Sequence, residues 1–295
     1  MHRTTLVIAI PPYETDRTTV HLNNRNGRSL QIACDTIAFM KTSPDTMRLY
    51  LCGRLSIVRG DVLVSESDFP ARQGRRFWAY LVIHRQQPVS RGDLATAIWG
   101  DAIPDAWESS LNAIAARLRR TLQPLLQDGL PRLIGEPGRY DLRLPNSIII
   151  DFERARAGLH RADALMFGER WPEALAEARV ATEIAARGFL VGEGGAWVEG
   201  QRQLLHSVRV HAHACTVEAE LRRGYVAAAE REAEQLIALD PLREASYHLL
   251  MRSLAAGGNA SAVHRVVLEC RRIFAGEGLT PSTETERLAH ELATR

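Results

Sequence analysis

Three arginines crowd the end of the segment Trp107-Glu108-Ser109-Ser110-Leu111-Asn112-Ala113-Ile114-Ala115-Ala116-Arg117-Leu118-Arg119-Arg120-Thr121-Leu122. A guanidinium is a planar donor fork that matches phosphate oxygens and the paired acceptors of a guanine edge. At helical period, Leu111, Ile114, Ala115, Leu118 and Leu122 line one face. Ser109, Asn112, Ala113, Ala116, Arg117 and Arg120 line the other, with Arg119 toward the edge of the apolar stripe. Small polar residues beside arginines let a helix approach a negatively charged groove closely. Ser109 and Ser110, near the helix start, place hydroxyls beside backbone N–H groups, which is an arrangement that binds phosphate. The same periodicity suits an ordinary amphipathic surface helix, so the neighbouring elements decide.

Upstream, Met47–Leu51, Leu55–Val58 and Val62–Val64 read as short strands, with Gly60-Asp61 as a hairpin turn. Arg75–Ile83 reads as a strongly apolar helix. Pro88-Val89-Ser90 stops it, and Ser90, with Asp93 three residues on, caps a short helix from Arg91 to Trp99 that ends at Gly100. Pro104-Asp105 leads into the arginine-bearing helix. Arg132-Leu133-Ile134, a turn at Pro137-Gly138, and Arg139–Leu144 then predict a hairpin with basic residues near its tip.

Strands, three helices and a basic hairpin follow the order of a winged helix with an N-terminal sheet, and residues 47–146 resemble the OmpR-type DNA-binding domain. Ser110-Leu111-Asn112 and Arg117-Leu118-Arg119-Arg120 match that family's recognition helix in place. Gly138-Arg139-Tyr140-Asp141-Leu142 matches its Gly-Tyr-x-Leu wing with Arg139 as an extra residue. The resemblance implies that the helix enters a major groove, with Asn112, Ala113, Ala116 and Arg117 nearest base edges. Arg117 and Arg120 also serve phosphates in this reading. Arg139 and Arg132 reach the adjacent minor groove or backbone.

A chain of 295 residues suits two domains. The net charge of +2 conceals a gradient: residues 47–146 hold 14 arginines against 10 acids, and residues 147–295 hold 18 against 21. A basic segment before an acidic one fits a DNA reader joined to a protein-contacting domain. Lys41 is the one lysine, so phosphate or carboxylate contacts elsewhere fall to arginine. No apolar run approaches the roughly 18 residues that span a bilayer. Leu6–Ile10, followed by Pro11-Pro12, is too short for a signal-peptide core, so the expectation is a cytoplasmic protein with no membrane partner. Cys34, Cys52, Cys215 and Cys270 are far apart, and His211 and His213 diverge by about 200° on a helix. These cysteines and histidines read as structural, without a metal or other cofactor.

From about residue 147 the strand signals vanish, apart from Ser147–Phe152, which reads as a last short strand or connector. Helical periods fall near 151–167, 171–187, 196–222, 226–238, 242–256, 260–275 and 282–293. Gly224-Tyr225-x-x-Ala228 aligns with Gly258-Asn259-x-x-Ala262 at a spacing of 34, and Arg170-Trp171-x-x-Ala174 has the same form. A 34-residue helix-turn-helix period is that of tetratricopeptide (TPR) repeats, with the alanines expected where paired helices approach closely. Gly192-Glu193-Gly194-Gly195 reads as a flexible inter-helix loop. The fold class is thus an α+β winged helix-turn-helix domain followed by an all-α TPR-like repeat domain.

The C-terminal part carries a further resemblance. Asp240-Pro241-Leu242-Arg243-Glu244, Leu250-Met251-x-x-Leu254, Gly257-Gly258-Asn259-x-x-Ala262, Cys270-Arg271-Arg272-x-Phe274 and Glu277-Gly278-Leu279-Thr280-Pro281-Ser282 follow the running signature of the bacterial transcriptional activation domain. Joined to an OmpR-type winged helix, that domain resembles the Streptomyces antibiotic regulatory protein (SARP) family over about 47–293. Asn259 replaces the arginine usual in the turn, and Val267-Leu268 stands near the usual tyrosine. The resemblance implies a transcriptional activator that binds direct repeats in double-stranded promoter DNA. It also implies side-by-side protomers and recruitment of RNA polymerase. The alternative is a TPR-like scaffold whose winged helix docks protein rather than DNA. No phosphate-binding loop, nucleophile elbow or His-Glu-x-x-His is present, so an enzyme is not expected. Residues 1–46 lie outside the resemblance and have no assigned role; Thr19–Leu22, Asn26-Gly27 and Ser29–Ala33 read as a hairpin.

Overall fold

Leu49 and Ile57 face each other across an antiparallel strand pair, and both are fully buried. In the computed structural model, which describes residues 46–293 and the strand backbones Thr19–Asn23 and Ser29–Ala33, that pair is the centre of a four-stranded sheet. The two early strands, β1 (Thr19–Asn23) and β2 (Ser29–Ala33), pair antiparallel; Asn26-Gly27 lies outside the described residues. The sheet is built from β3 (Arg48–Tyr50), β4 (Ser56–Arg59) and β5 (Val62–Ser65), in the order β5-β4-β3. A fourth strand, β9 (Ile149–Ile150), lies parallel to β3.

Helix α1 (Ala71–Ile83) packs Phe77, Trp78, Leu81 and Val82 inward. It begins four residues earlier than its apolar run, because Pro70 starts the turn and Gly74 fits against the proline ring. A Cβ on Gly74 would lie 2.6 Å from Pro70 Cγ, and that ring is tied to the backbone. Gly74→Ala is therefore expected to lose about 1–2 kcal/mol net, even after the roughly 1 kcal/mol of helix propensity that alanine contributes. Urea unfolding measures this, and an unchanged or raised midpoint would contradict the packing.

Helix α2 (Arg91–Trp99) starts as expected: the Ser90 side chain accepts from the Asp93 N–H at 3.1 Å. Helix α3 (Trp107–Leu122) and the hairpin of β7 (Arg132–Glu136) and β8 (Arg139–Arg143) follow. The residues that stop α1 also form a two-residue strand, β6 (Val89–Ser90), on the far edge of β8, giving a second sheet in the order β6-β8-β7.

The helical half comprises α4 (Asp151–Phe167), α5 (Trp171–Ala186), α6 (Ala196–Arg222), α7 (Val226–Leu239), α8 (Glu244–Ala256), α9 (Ala260–Gly276) and α10 (Thr283–Ala293). Its repeat is visible in the turns. Arg170, Tyr225, Asn259 and Leu279 each donate a backbone N–H to the carbonyl five residues back, at 2.9 Å. Each is preceded by a left-handed residue, at Glu169, Gly224, Gly258 and Gly278. This closure satisfies orphan carbonyls and reverses the chain in the same way each time. Ala174 and Ala262 are buried as the repeat predicts; Ala228 is only half-buried, and Ala229 takes the close approach there.

Among the described residues no linker separates the halves. β9 completes the N-terminal sheet and runs directly into α4, and one continuous core extends from Met47 to Cys215. Fully buried Asp151 opens α4 and accepts three backbone N–H bonds, from Leu51 (2.8 Å), Cys52 (3.0 Å) and Phe152 (2.7 Å). Burial pushes its carboxyl up to about 6, against the lowering effect of those donors and of Arg187. Phe152, Phe189, Trp197 and Tyr80 form a chain of ring contacts at 5.0–5.6 Å between the halves.

The glycine-rich loop after α5 is not the flexible connector its composition suggests. The Glu193 side chain is 2% exposed and takes Arg75 Nη2 at 2.6 Å and Arg76 Nε at 3.2 Å. Arg202 adds three hydrogen bonds to the carbonyls of Phe189, Leu190 and Glu193. The loop is thereby bolted to α1 on one side and to α6 on the other. No described helix is long and apolar enough to cross a membrane.

Candidate nucleic-acid interface

Helix α3 divides its residues as its period predicts. Leu111, Ile114, Ala115, Leu118 and Leu122 are buried, while Ser109, Asn112, Ala113, Ala116, Arg117 and Arg120 are exposed. Arg117 and Arg120 have no hydrogen-bond or ion-pair partner among the described residues. Two uncommitted guanidiniums thus stand beside a shallow surface made by Ala113 and Ala116. That surface can lie close against an acceptor-rich, negatively charged edge.

The flanking candidates are engaged differently. Ser109 and Ser110 both turn their hydroxyls back to the Ala106 carbonyl, at 2.9 and 3.1 Å. Each would have to rotate to donate to a phosphate. Arg119 donates from Nε to the Leu133 carbonyl at 3.0 Å, which ties α3 to β7. Its guanidinium lies over Gly135, where a Cβ would come within 3.2 Å of Nη2. Arg119 is therefore a positioning residue in this structure, holding the hairpin at a set angle to the helix.

The hairpin turns at Pro137-Gly138, where Gly138 supplies φ +76°, a left-handed value that favours glycine. The expectation of a basic tip holds for Arg139 alone. Arg132 stands opposite Arg143 at the base of the hairpin, four strand steps or about 13 Å from the tip. Arg139 is exposed and paired with Glu136 at 2.6 Å; Arg143 is paired with Asp141 at 3.0 Å. Arg132 has no partner among the described residues.

Sequence reasoning missed one residue with a bearing on the site. Tyr140, 1% exposed, packs edge-on against Phe77 with centroids 5.1 Å apart, beneath the Arg91 guanidinium at 5.0 Å. Its hydroxyl donates to Asn112 Oδ1 at 3.0 Å. Burial raises its pKa, so the phenol keeps its proton. The amide of Asn112 is thereby held with Nδ2 available to donate outward. The only sequence signal for this contact was the match of Tyr140 to a wing position, because the partners are 28 residues apart.

Comparison with known proteins bears on the whole chain. A family model described as "Bacterial transcriptional activator domain" matches residues 150–293. The Regulatory protein AfsR of Streptomyces griseus is 25% identical over 286 residues, which is 92% of this chain and 27% of that protein. The AfsR of Streptomyces coelicolor is 27% identical over 221 residues, 75% of this chain and 22% of its own length. The chain therefore spans about a quarter of the length of these relatives. A solved structure of Mycobacterium tuberculosis EmbR in complex with a low affinity phosphopeptide superposes with a TM-score of 0.73 at 24% identity. It covers 84% of this chain and 65% of the EmbR chain, and establishes a shared fold. Residues 150–293 therefore match the bacterial transcriptional activator domain, and over three quarters or more of its length the chain is similar to the AfsR regulators of Streptomyces.

Proposed function

We propose that this protein is a transcriptional regulator that binds promoter DNA through residues 47–146, folded as a winged helix, and activates transcription through residues 147–295. The observation that carries the reading is the exposed face of α3, where Asn112, Ala113 and Ala116 lie beside two unpartnered arginines, Arg117 and Arg120. In the proposed complex this face enters the major groove. Arg117 donates to a base edge or phosphate, and Arg120 to a phosphate. Arg132 and Arg139, at opposite ends of the hairpin, reach the flanking backbone or minor groove. Ser109 and Ser110 meet the phosphate nearest the start of α3 after rotation of their hydroxyls. The matched activator domain favours binding of the helical half to RNA polymerase and to a neighbouring protomer on direct repeats.

Titrating a short fluorescent duplex against salt tests the binding step. Counterion release predicts that log K falls linearly with log salt, with a slope of about −0.9 per phosphate neutralised. A salt-independent interaction would contradict it and favour a peptide-docking role.

The Tyr140–Asn112 bond adds a prediction about specificity. With Oδ1 engaged, Asn112 presents N–H donors, which suit guanine O6 and N7 or thymine O4. Tyr140→Phe removes the restraint while keeping the ring packing. Selection from random duplexes is expected to show weaker discrimination at one base position, by about 0.5–1.5 kcal/mol, with other positions unchanged. Identical preferences in both proteins would exclude this role for Tyr140.

A further inference from the structure

Two helices of the activator domain bring three different metal-ligating groups together. His211 and Cys215 are one turn apart on α6, and Asp163 faces them from α4. Asp163 Oδ1 lies 3.1 Å from His211 Nε2 and 3.4 Å from Cys215 Sγ. All three donor atoms fall within 4.8 Å of one another. We propose that Asp163, His211 and Cys215 form a binding site for a divalent transition metal of the zinc class, independent of the α3 surface.

The geometry supports this reading in three ways. Tetrahedral zinc, with Zn–O near 2.0 Å, Zn–N near 2.05 Å and Zn–S near 2.3 Å, separates oxygen from nitrogen by about 3.3 Å and oxygen from sulfur by about 3.5 Å. The two separations from Asp163 lie within about 0.2 Å of those values, and the imidazole and thiol, at most 4.8 Å apart, need to sit about 3.6 Å from each other. The i, i+4 spacing puts imidazole and thiol on one face of α6, and the helix scaffold holds them there. The access route is also present: Cys215 is buried, while the side chains of His211 and Asp163 are 52% and 41% exposed. A metal would therefore meet the thiol at the floor and solvent at a fourth, open position. His213 does not compete, because it turns to the other side and meets Glu232 at 2.6 Å.

Mixed sulfur, nitrogen and oxygen donors favour zinc, cobalt or nickel over magnesium or calcium. When the metal–sulfur bond forms, the Cys215 thiol releases its proton to solvent. Without a cation the thiol stays protonated: burial, then Asp163 and Glu218, push it up to about 12. The cluster was hidden in the sequence because Asp163 is 48 residues from His211, and the His211–His213 pair drew attention away from the His211-x-x-x-Cys215 spacing.

The test uses the full chain, reduced and freed of metal, titrated with cobalt(II) and followed by absorption. One equivalent is expected to produce tetrahedral d–d bands and a thiolate-to-cobalt charge-transfer band. Excess zinc should erase both bands and excess magnesium should not. Cys215→Ser should abolish the charge-transfer band. His211→Ala, at a half-exposed site that leaves the core intact, should weaken binding about tenfold or more. Zinc should also raise the melting temperature of the wild type and not of His211→Ala. A spectrum of hydrated cobalt alone, or a charge-transfer band that survives in Cys215→Ser, would overturn the assignment. DNA binding, measured in parallel, is expected to be unaffected by either variant.

Discussion

Asp151→Ala is expected to lower the free energy of unfolding by about 3–5 kcal/mol, because it strands three buried N–H groups at the joint between the two halves. Those donors belong to Leu51 and Cys52 of the N-terminal half and to Phe152 of α4. A domain is stable by only about 5–15 kcal/mol, so the loss is a large share of the total. The continuous core from Met47 to Cys215 means that the two halves should unfold in one transition in the wild type. In the variant the joint is the weakest place, and the transition is expected to broaden or split. Asp151→Asn keeps one acceptor oxygen and points an NH2 group at an N–H, so its loss is smaller but real.

The same residue sets a pH dependence. The carboxyl titrates at about 6 in the folded chain, above its ordinary 3.8, chiefly through burial. A raised folded value contributes stability that is fully present below about 3.8 and is lost as pH rises through about 6. The stability gap between wild type and Asp151→Ala should therefore widen by about 1 kcal/mol from pH 7 to pH 5. Urea unfolding at both pH values measures it. A gap that narrows on acidification would contradict the burial of this carboxyl.

The second large effect is on DNA. Arg117→Ala combined with Arg120→Ala is expected to weaken binding by about 2–5 kcal/mol, from roughly 1–3 kcal/mol for a base-reading arginine and a smaller phosphate share. The salt slope should flatten by about one unit for each phosphate left without its arginine. Folding should be untouched, because both side chains are exposed and bond to no described residue. Arg119→Ala should behave differently. It releases β7 from α3, so its effect on DNA should come with changed protection of the hairpin amides in hydrogen exchange. Full affinity in the double variant would remove α3 from the interface.

The contrast between these residues shows what the sequence could and could not carry. The bounds and buried face of α3 were readable because five apolar side chains recur at helical period over sixteen residues. The helices beyond residue 150 were readable for the same reason, and their glycines marked turns that close with a common hydrogen bond. Asp151 was not readable as a joint: two of its partners lie about a hundred residues away, and nothing local distinguishes a capping aspartate from a bridging one. Glu193 sat among glycines that suggested mobility, and only tertiary packing against Arg75 and Arg76 reveals the clamp. Strand β6 is two residues long and carries no period at all. Within the candidate site, exposure of the α3 face followed from sequence, while the engagement of Arg119, Ser109, Ser110 and Asn112 depended on atoms beyond the helix period.

Capture of sheared genomic fragments by the purified chain, beside the Arg117→Ala/Arg120→Ala variant, tests the DNA reading most directly. Sequence-specific binding through α3 predicts enrichment of fragments sharing a directly repeated motif, with the enrichment abolished in the folded variant. Equal retention by both proteins, or no shared motif from wild-type protein at low salt, would contradict it.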